Sequence, residues 1–253
     1  DEFIEEVTEG LLPPPMYFPL NVKMNKEGYE DIDQVLARGG QRLSPDGFEA
    51  AANETGAIVL DVRHQNEFVK GHIPRSIFIG LDGGFAPWVG TLIGDVSQPI
   101  LLIAPEGQEA ESVTRLSRVG FDQTLGILKG GFQAWKTAGK DYDSISSVPA
   151  SELAEAHAQS VVSVFDVRKP TEFQSEHVEG ATNAPLDFLN DHLATFPQNK
   201  PFYIHCAGGY RSVIAASILK SRGIHNLIDV AGGFKAIAQT ELPKSNYVCP
   251  STL

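Results

Sequence analysis

The sequence predicts an α/β protein made of two tandem copies of one unit, each a parallel sheet flanked by helices. Three observations carry this. Short β-branched runs alternate with stretches of helical spacing, as strands buried on both faces and joined by helices do. "IVLDVRHQNEFVKGHIPRS" from Ile58 matches "SVFDVRKPTEFQSEHVEGA" from Ser163: Asp61 with Asp166, Arg63 with Arg168, Glu67 with Glu172, Phe68 with Phe173 and His72 with His177. Further on, "LKGGFQAW" at 128–135 returns as "VAGGFKAI" at 230–237. Such a repeat outranks local pattern as a guide to architecture.

The elements follow in order. Residues 1–40 belong to neither copy. Three prolines followed by aromatics predict an extended segment there, packed by Met16, Tyr17 and Phe18. The first unit, 41–142, has a helix in "SPDGFEAAANE", opened by Ser-Pro, and strands in "AIVLDV" and "PILLIA". "KDYDSISSV", 140–148, is small and polar and links the units. The second unit, 143–240, has a helix in "PASELAEAHAQ" and strands in "VVSVFDV" and "PFYIHC". Its helix "SVIAASILKSRG" stops at Gly223, a natural C-terminal cap. Residues 241–253 form a tail.

Composition narrows the function classes. With 253 residues, 42% of them hydrophobic and 21% charged, the chain can bury ordinary globular cores. Its net charge of −12 argues against a nucleic-acid or anionic-membrane partner. No apolar run is long enough to span a bilayer, and the acidic N-terminus does not read as a signal peptide. The two cysteines, Cys206 and Cys249, are no disulfide framework and point to a reducing compartment, the cytoplasm. The chain opens at Asp1 without a methionine, as a piece of a longer chain would.

The chemistry is expected in "IHCAGGYRS", 204–212, where Cys206 sits between a strand and a helix. Sites in open α/β sheets form at the carboxyl ends of strands. The unpaired amides of the next helix carry positive potential, and Gly208 and Gly209 let the backbone curl into an anion nest. That field favours thiolate over thiol at Cys206. Arg211 adds a permanent charge that holds an oxyanion or braces the loop. The alternative, a small buried core cysteine, needs neither the Gly-Gly nor the arginine. His205, inside the strand, reads as core packing with a catalytic base as the alternative, and Tyr210 as a residue of the pocket rim.

Counting separates two anions. Cysteine-dependent phosphatases place five residues between cysteine and arginine. Here there are four: Ala207, Gly208, Gly209 and Tyr210. A phosphoryl group needs the wider ring of donors, and a persulfide, ending in one sulfur, fits the tighter one.

The second copy reads "DVRKPTEF", "HVEGATNAP", "HCAGGYRS" and "AGGFKA", and so resembles the rhodanese (thiosulfate sulfurtransferase) superfamily across nearly all of 143–240. The first copy matches equally in its scaffold motifs. The resemblance implies ping-pong sulfur transfer from thiosulfate or a low-molecular-weight persulfide to a thiol or cyanide through a Cys206 persulfide, without a cofactor. It implies Cys206 as nucleophile, residues Ala207, Gly208, Gly209, Tyr210 and Ser212 around the substrate, and Arg211 positioning the donor. It also implies a structural ion pair between Arg168 and Glu172.

The first copy lacks this chemistry. Ala104 falls opposite Cys206, and Glu109 opposite Arg211. Acids there repel an anionic donor, so this unit is expected to be inactive. His64, His72 and His177 do not make a metal set, and Cys249 reads as exposed, with a resolving thiol as the lesser alternative. The leading segment resembles the C-terminal tail of metallo-β-lactamase-fold persulfide dioxygenases that continue into two rhodanese domains, which implies such a domain upstream. Two other functions stay open at this point: a non-catalytic binding module or persulfide sensor, and, against the loop count, a phosphatase or arsenate reductase.

Overall fold

The computed structural model describes residues 17–28 and 30–249. The two repeats become two five-stranded sheets with every pairing parallel. In the first unit β1 (Arg42–Leu43), β2 (Ile58–Asp61), β3 (Ile77–Phe78), β4 (Ile100–Ile103) and β5 (Thr124–Leu128) lie in the order β1-β5-β4-β2-β3. In the second β6 (Ser147–Pro149), β7 (Ser163–Asp166), β8 (Thr182–Asn183), β9 (Phe202–His205) and β10 (Leu227–Ala231) lie in the order β6-β10-β9-β7-β8. Each strand thus occupies its counterpart's place. The strand before Cys206, β9, is the middle one, so the loop leaving it opens at the centre of the sheet's carboxyl edge.

Helices pack around these sheets. In the leading and first units they are α1 (Tyr17–Glu27), α2 (Ile32–Gly39), α3 (Pro45–Thr55), α4 (Gln65–Lys70), α5 (Phe85–Leu92), α6 (Glu109–Ser117) and α7 (Gly131–Thr137). In the second they are α8 (Ala150–Gln159), α9 (Pro170–Ser175), α10 (Tyr210–Ser221) and α11 (Gly233–Ile237), with a 3₁₀ stretch at Leu186–Thr195. The Ser-Pro start of α3 works as expected. Ser44 accepts the Gly47 amide, Pro45 opens the first turn, and Gly56 closes the helix with φ +65°. Among the described residues no helix is long and apolar enough to cross a membrane.

The leading segment differs from expectation. Tyr17 and Phe18 begin a helix rather than an extended strap, and Phe18 is exposed. Met16 and the prolines lie outside the described residues. α2 buries Val35 completely in the first unit's core, although the repeat begins after it. No glycine or proline interrupts 32–38, so the backbone bonds of a helix are available, and Asp31 caps its start through the Asp33 amide.

One helix joins the units. Residues 212–219 of α10 are all buried, whereas its counterpart α6 buries only Ser112, Val113 and Leu116. A helix apolar all round has protein on every side. One side of α10 faces its own sheet and the other faces the first unit, where the Phe78 amide donates to Ser217 Oγ at 3.0 Å. Lys220 bridges to Asp143 at 3.0 Å, and the Ile145 amide donates to the Val69 carbonyl at 2.9 Å. A single apolar cluster runs from Leu60, Phe68 and Phe78 through to Ile214, Ala215 and Leu219.

Candidate active site

Cys206 leaves the end of β9 and is 1% exposed. The Gly209 amide donates to its Sγ at 3.1 Å. Gly209 has φ +101°, and this left-handed turn swings its N–H back onto the sulfur. The following segment grips the loop from outside. The Phe234 amide donates to the Cys206 carbonyl at 2.6 Å and the Lys235 amide to the Ala207 carbonyl at 3.0 Å. The second GGF motif therefore shapes the cysteine loop through the backbone.

Ion pairing differs from the expected scheme. Arg168 does not pair with Glu172. Its Nε and Nη2 take both oxygens of Asp166 at 2.6–3.0 Å, its Nη2 also donates to the Glu176 carbonyl, and its guanidinium lies 4.0 Å from the Phe234 ring. The first unit repeats this, with Arg63 on Asp61, on the Gly71 carbonyl and over Phe132. Two residues along a strand end share one face, so the aspartate reaches its arginine first. Glu172 is left for Arg211, which holds it with paired bonds of 2.6 and 2.8 Å. The Arg211 guanidinium holds the Glu172 carboxyl below its usual range. Arg211 thus braces the loop against α9 in this arrangement.

Tyr210 and Ser212 each bond a group outside the cysteine loop. The Tyr210 hydroxyl donates to the Gly80 carbonyl in the first unit at 2.7 Å, and its ring meets the edge of Phe78. Burial pushes its phenol upward, so it stays protonated as a donor. Ser212 is fully buried and donates to Asp229 Oδ1 at 2.7 Å. His205 is fully buried too, and burial pushes its imidazole down, toward the neutral form. Its Nε2 has no hydrogen-bond partner and lies 3.9 Å from Asp166. Cys249 is exposed, on a tail that runs along 175–179 through the Val248 amide and the Ser175 carbonyl.

Sequence reasoning missed Asp229. It lies in β10 at 2% exposure, with its two oxygens bound to Ser212 and Ser147. The signal was an acid in the apolar run "LIDVA", where the first unit has Ile127. Burial pushes this carboxyl from 3.8 up to about 6. The folded chain then holds the proton more tightly than the unfolded chain. Stability is lost as pH rises from the unfolded value through the folded one, by about 3 kcal/mol once both are ionised. Asp229→Asn is expected to gain stability over wild type at about pH 7.5 but not at about pH 2.5, below both values, where wild type is protonated in both states. Urea unfolding at the two pH values measures this, and an equal gain at both contradicts it.

The first unit keeps a cavity of about 480 Å³ at the matching place, lined among others by Ala104, Glu106 and Glu109. Glu109 is drawn to Arg42 at 3.0 Å. Glu67, the counterpart of Glu172, lies 3.9 Å from Arg63 at the edge of ion-pair range, and its side chain is 62% exposed. Among the described residues no group of three or more His, Cys, Asp or Glu could hold a metal.

The Rhodanese-like domain family matches residues 44–138 and 149–240, one match in each unit. The chain belongs to this family. An uncharacterized protein of Bacillus subtilis is 38% identical over 72 residues, which cover 28% of this chain and 57% of that protein. Thiosulfate sulfurtransferase PspE of Escherichia coli is 37% identical over 80 residues, 31% of this chain and 76% of that protein. A rhodanese-like domain protein of Staphylococcus aureus, solved by crystallography, covers 39% of this chain and 96% of its own, with 32% identity and a TM-score of 0.37. The chain spans about half the length of the first relatives it matches, 57% and 54%. Both rhodanese-like units keep the Asp-Val-Arg clip, and only the second carries the thiol.

Proposed function

We propose that the chain is a sulfurtransferase moving sulfane sulfur from thiosulfate or a low-molecular-weight persulfide to a thiol or cyanide through a persulfide on Cys206. One observation carries this reading: a four-residue loop in which the Gly209 amide donates to Cys206 Sγ. The thiolate attacks the outer sulfur of thiosulfate. A Cys206 S–S bond forms, the bond to the sulfonate sulfur breaks, and sulfite leaves with the electron pair. The loop amides face the negative charge on the persulfide's end sulfur. Cyanide then attacks that sulfur, thiocyanate departs, and the Cys206 thiolate returns. Arg211, held by Glu172, keeps the loop closed at its far end. Membership of a family with sulfurtransferase-named relatives supports the reading.

The first unit, with Ala104 in place of the thiol, takes no covalent part. A reactive thiol suits the reducing cytoplasm. The likeness of the leading residues to a dioxygenase tail further suggests an upstream domain that exchanges persulfide sulfur with Cys206.

Incubation with thiosulfate is expected to add one sulfur atom to wild-type protein by mass spectrometry, and cyanide to remove it as thiocyanate. Cys206→Ser is expected to show neither, with turnover down at least about 1,000-fold. Equal turnover in the two proteins overturns the proposal in favour of a binding role.

A further inference from the structure

A cavity of about 200 Å³ lies where α4 of the first unit meets the cysteine loop of the second. Gln65, Asn66 and Lys70 line it from one side, and Gly208 and Gly209 from the other. It therefore borders Gly209, the residue whose amide touches Cys206 Sγ. At Gly208 an added Cβ would meet nothing within 4 Å.

The charges around this opening are uneven. Between Cys206 and Arg211 the loop carries no charged side chain, and Arg211 is engaged by Glu172. The chain as a whole, at −12, repels an anion. Lys70 is the one cation among the cavity's lining residues. Its ammonium has no ion-pair partner among the described residues, and its side chain is exposed. The one carboxylate of the wall, Asp229, gives its two oxygens to Ser212 and Ser147. The helix bearing Lys70 is fixed against the second unit by the Ile145–Val69 backbone bond, and nearby by the Tyr210 anchor on Gly80.

We propose that Lys70 of the first unit is the anion-binding group of a donor subsite in this cavity, taking the charged end of thiosulfate or another anionic sulfane-sulfur donor. The inference rests on the sulfurtransferase reading of Cys206. It gives the thiol-less unit a direct part in substrate binding. A unit charge held within contact of Lys70, in a site narrowed by two protein walls, gains far more than one on the open surface.

Two measurements test it, one independent of sulfur transfer. The first is thiosulfate-dependent thiocyanate formation. The second is the rate of Cys206 alkylation by anionic iodoacetate relative to neutral iodoacetamide. Lys70→Gln is expected to raise the KM for thiosulfate about tenfold with kcat within about twofold, and Lys70→Glu to raise it further. The iodoacetate-to-iodoacetamide ratio falls in the same order, Lys70→Arg stays near wild type, and added salt narrows the differences. Unchanged KM and unchanged ratio in Lys70→Glu overturn the subsite. A wild-type protein that transfers no sulfur, yet loses its preference for iodoacetate in Lys70→Glu, overturns the sulfurtransferase reading and keeps the anion site.

Discussion

Gly233→Ala is expected to destabilise the protein by about 3 kcal/mol or more and to abolish sulfur transfer, while Gly131→Ala costs only about 1 kcal/mol. The two glycines are repeat counterparts with nearly the same backbone, φ +57° and +59°. Their surroundings differ. At Gly233 an added methyl overlaps the Cys206 carbonyl oxygen and stands 2.8 and 2.9 Å from the Ala207 carbonyl carbon and oxygen. At Gly131 the nearest atom is the Ala104 carbonyl oxygen at 3.9 Å. Both substitutions therefore bear the left-handed strain, but only the first pushes into the loop that carries the thiol. That push also stretches the Phe234 and Lys235 amide bonds that hold the loop. Urea unfolding and a thiocyanate assay on both variants decide the matter. Equal losses at the two positions contradict the argument.

Gly83→Ala is the second large effect. Tyr210 lies across Gly83 so closely that a methyl there overlaps the ring, with two ring carbons at 2.5 and 2.6 Å. The ring must leave, breaking the bond to Gly80 and the edge contact with Phe78. A loss of about 2–4 kcal/mol is expected. Tyr210→Phe keeps the ring and removes only the hydroxyl, for about 1 kcal/mol. Since Tyr210 follows the glycine that bonds Cys206, both variants are expected to slow thiosulfate turnover, the alanine one by about tenfold or more. Thermal melts with steady-state rates measure this. A Gly83→Ala protein as stable and active as wild type rules out the anchor.

Much of the scaffold was legible because its signals are local. Ser44 and Pro45 mark a helix start in two adjacent residues, and the short apolar runs at 58–61 and 202–205 need no partner to be recognised. In the leading segment the prolines at 13–15 favour extended chain, while the helical stretch after Tyr17 has only a weak apolar face to announce it. Sequence spacing places both Asp166 and Glu172 within reach of Arg168. The choice falls to Asp166 at the same strand end, and Arg211, distant in sequence, takes Glu172.

By itself the sequence determined the repeat, two parallel sheets, one thiol among the two copies, and four residues between Cys206 and Arg211. These follow from residue type and short-range spacing, which the chain carries wherever it folds. Only the tertiary structure decided which residues meet: Arg211 with Glu172, Tyr210 with the Gly80 carbonyl, Ser212 with Asp229, and Lys70 with Gly208 around one cavity. Two of them lie within the second unit, and two, Tyr210 with Gly80 and Lys70 with Gly208, depend on the packing of one unit against the other. Distances of that kind are set by the whole core, so no short stretch of sequence records them.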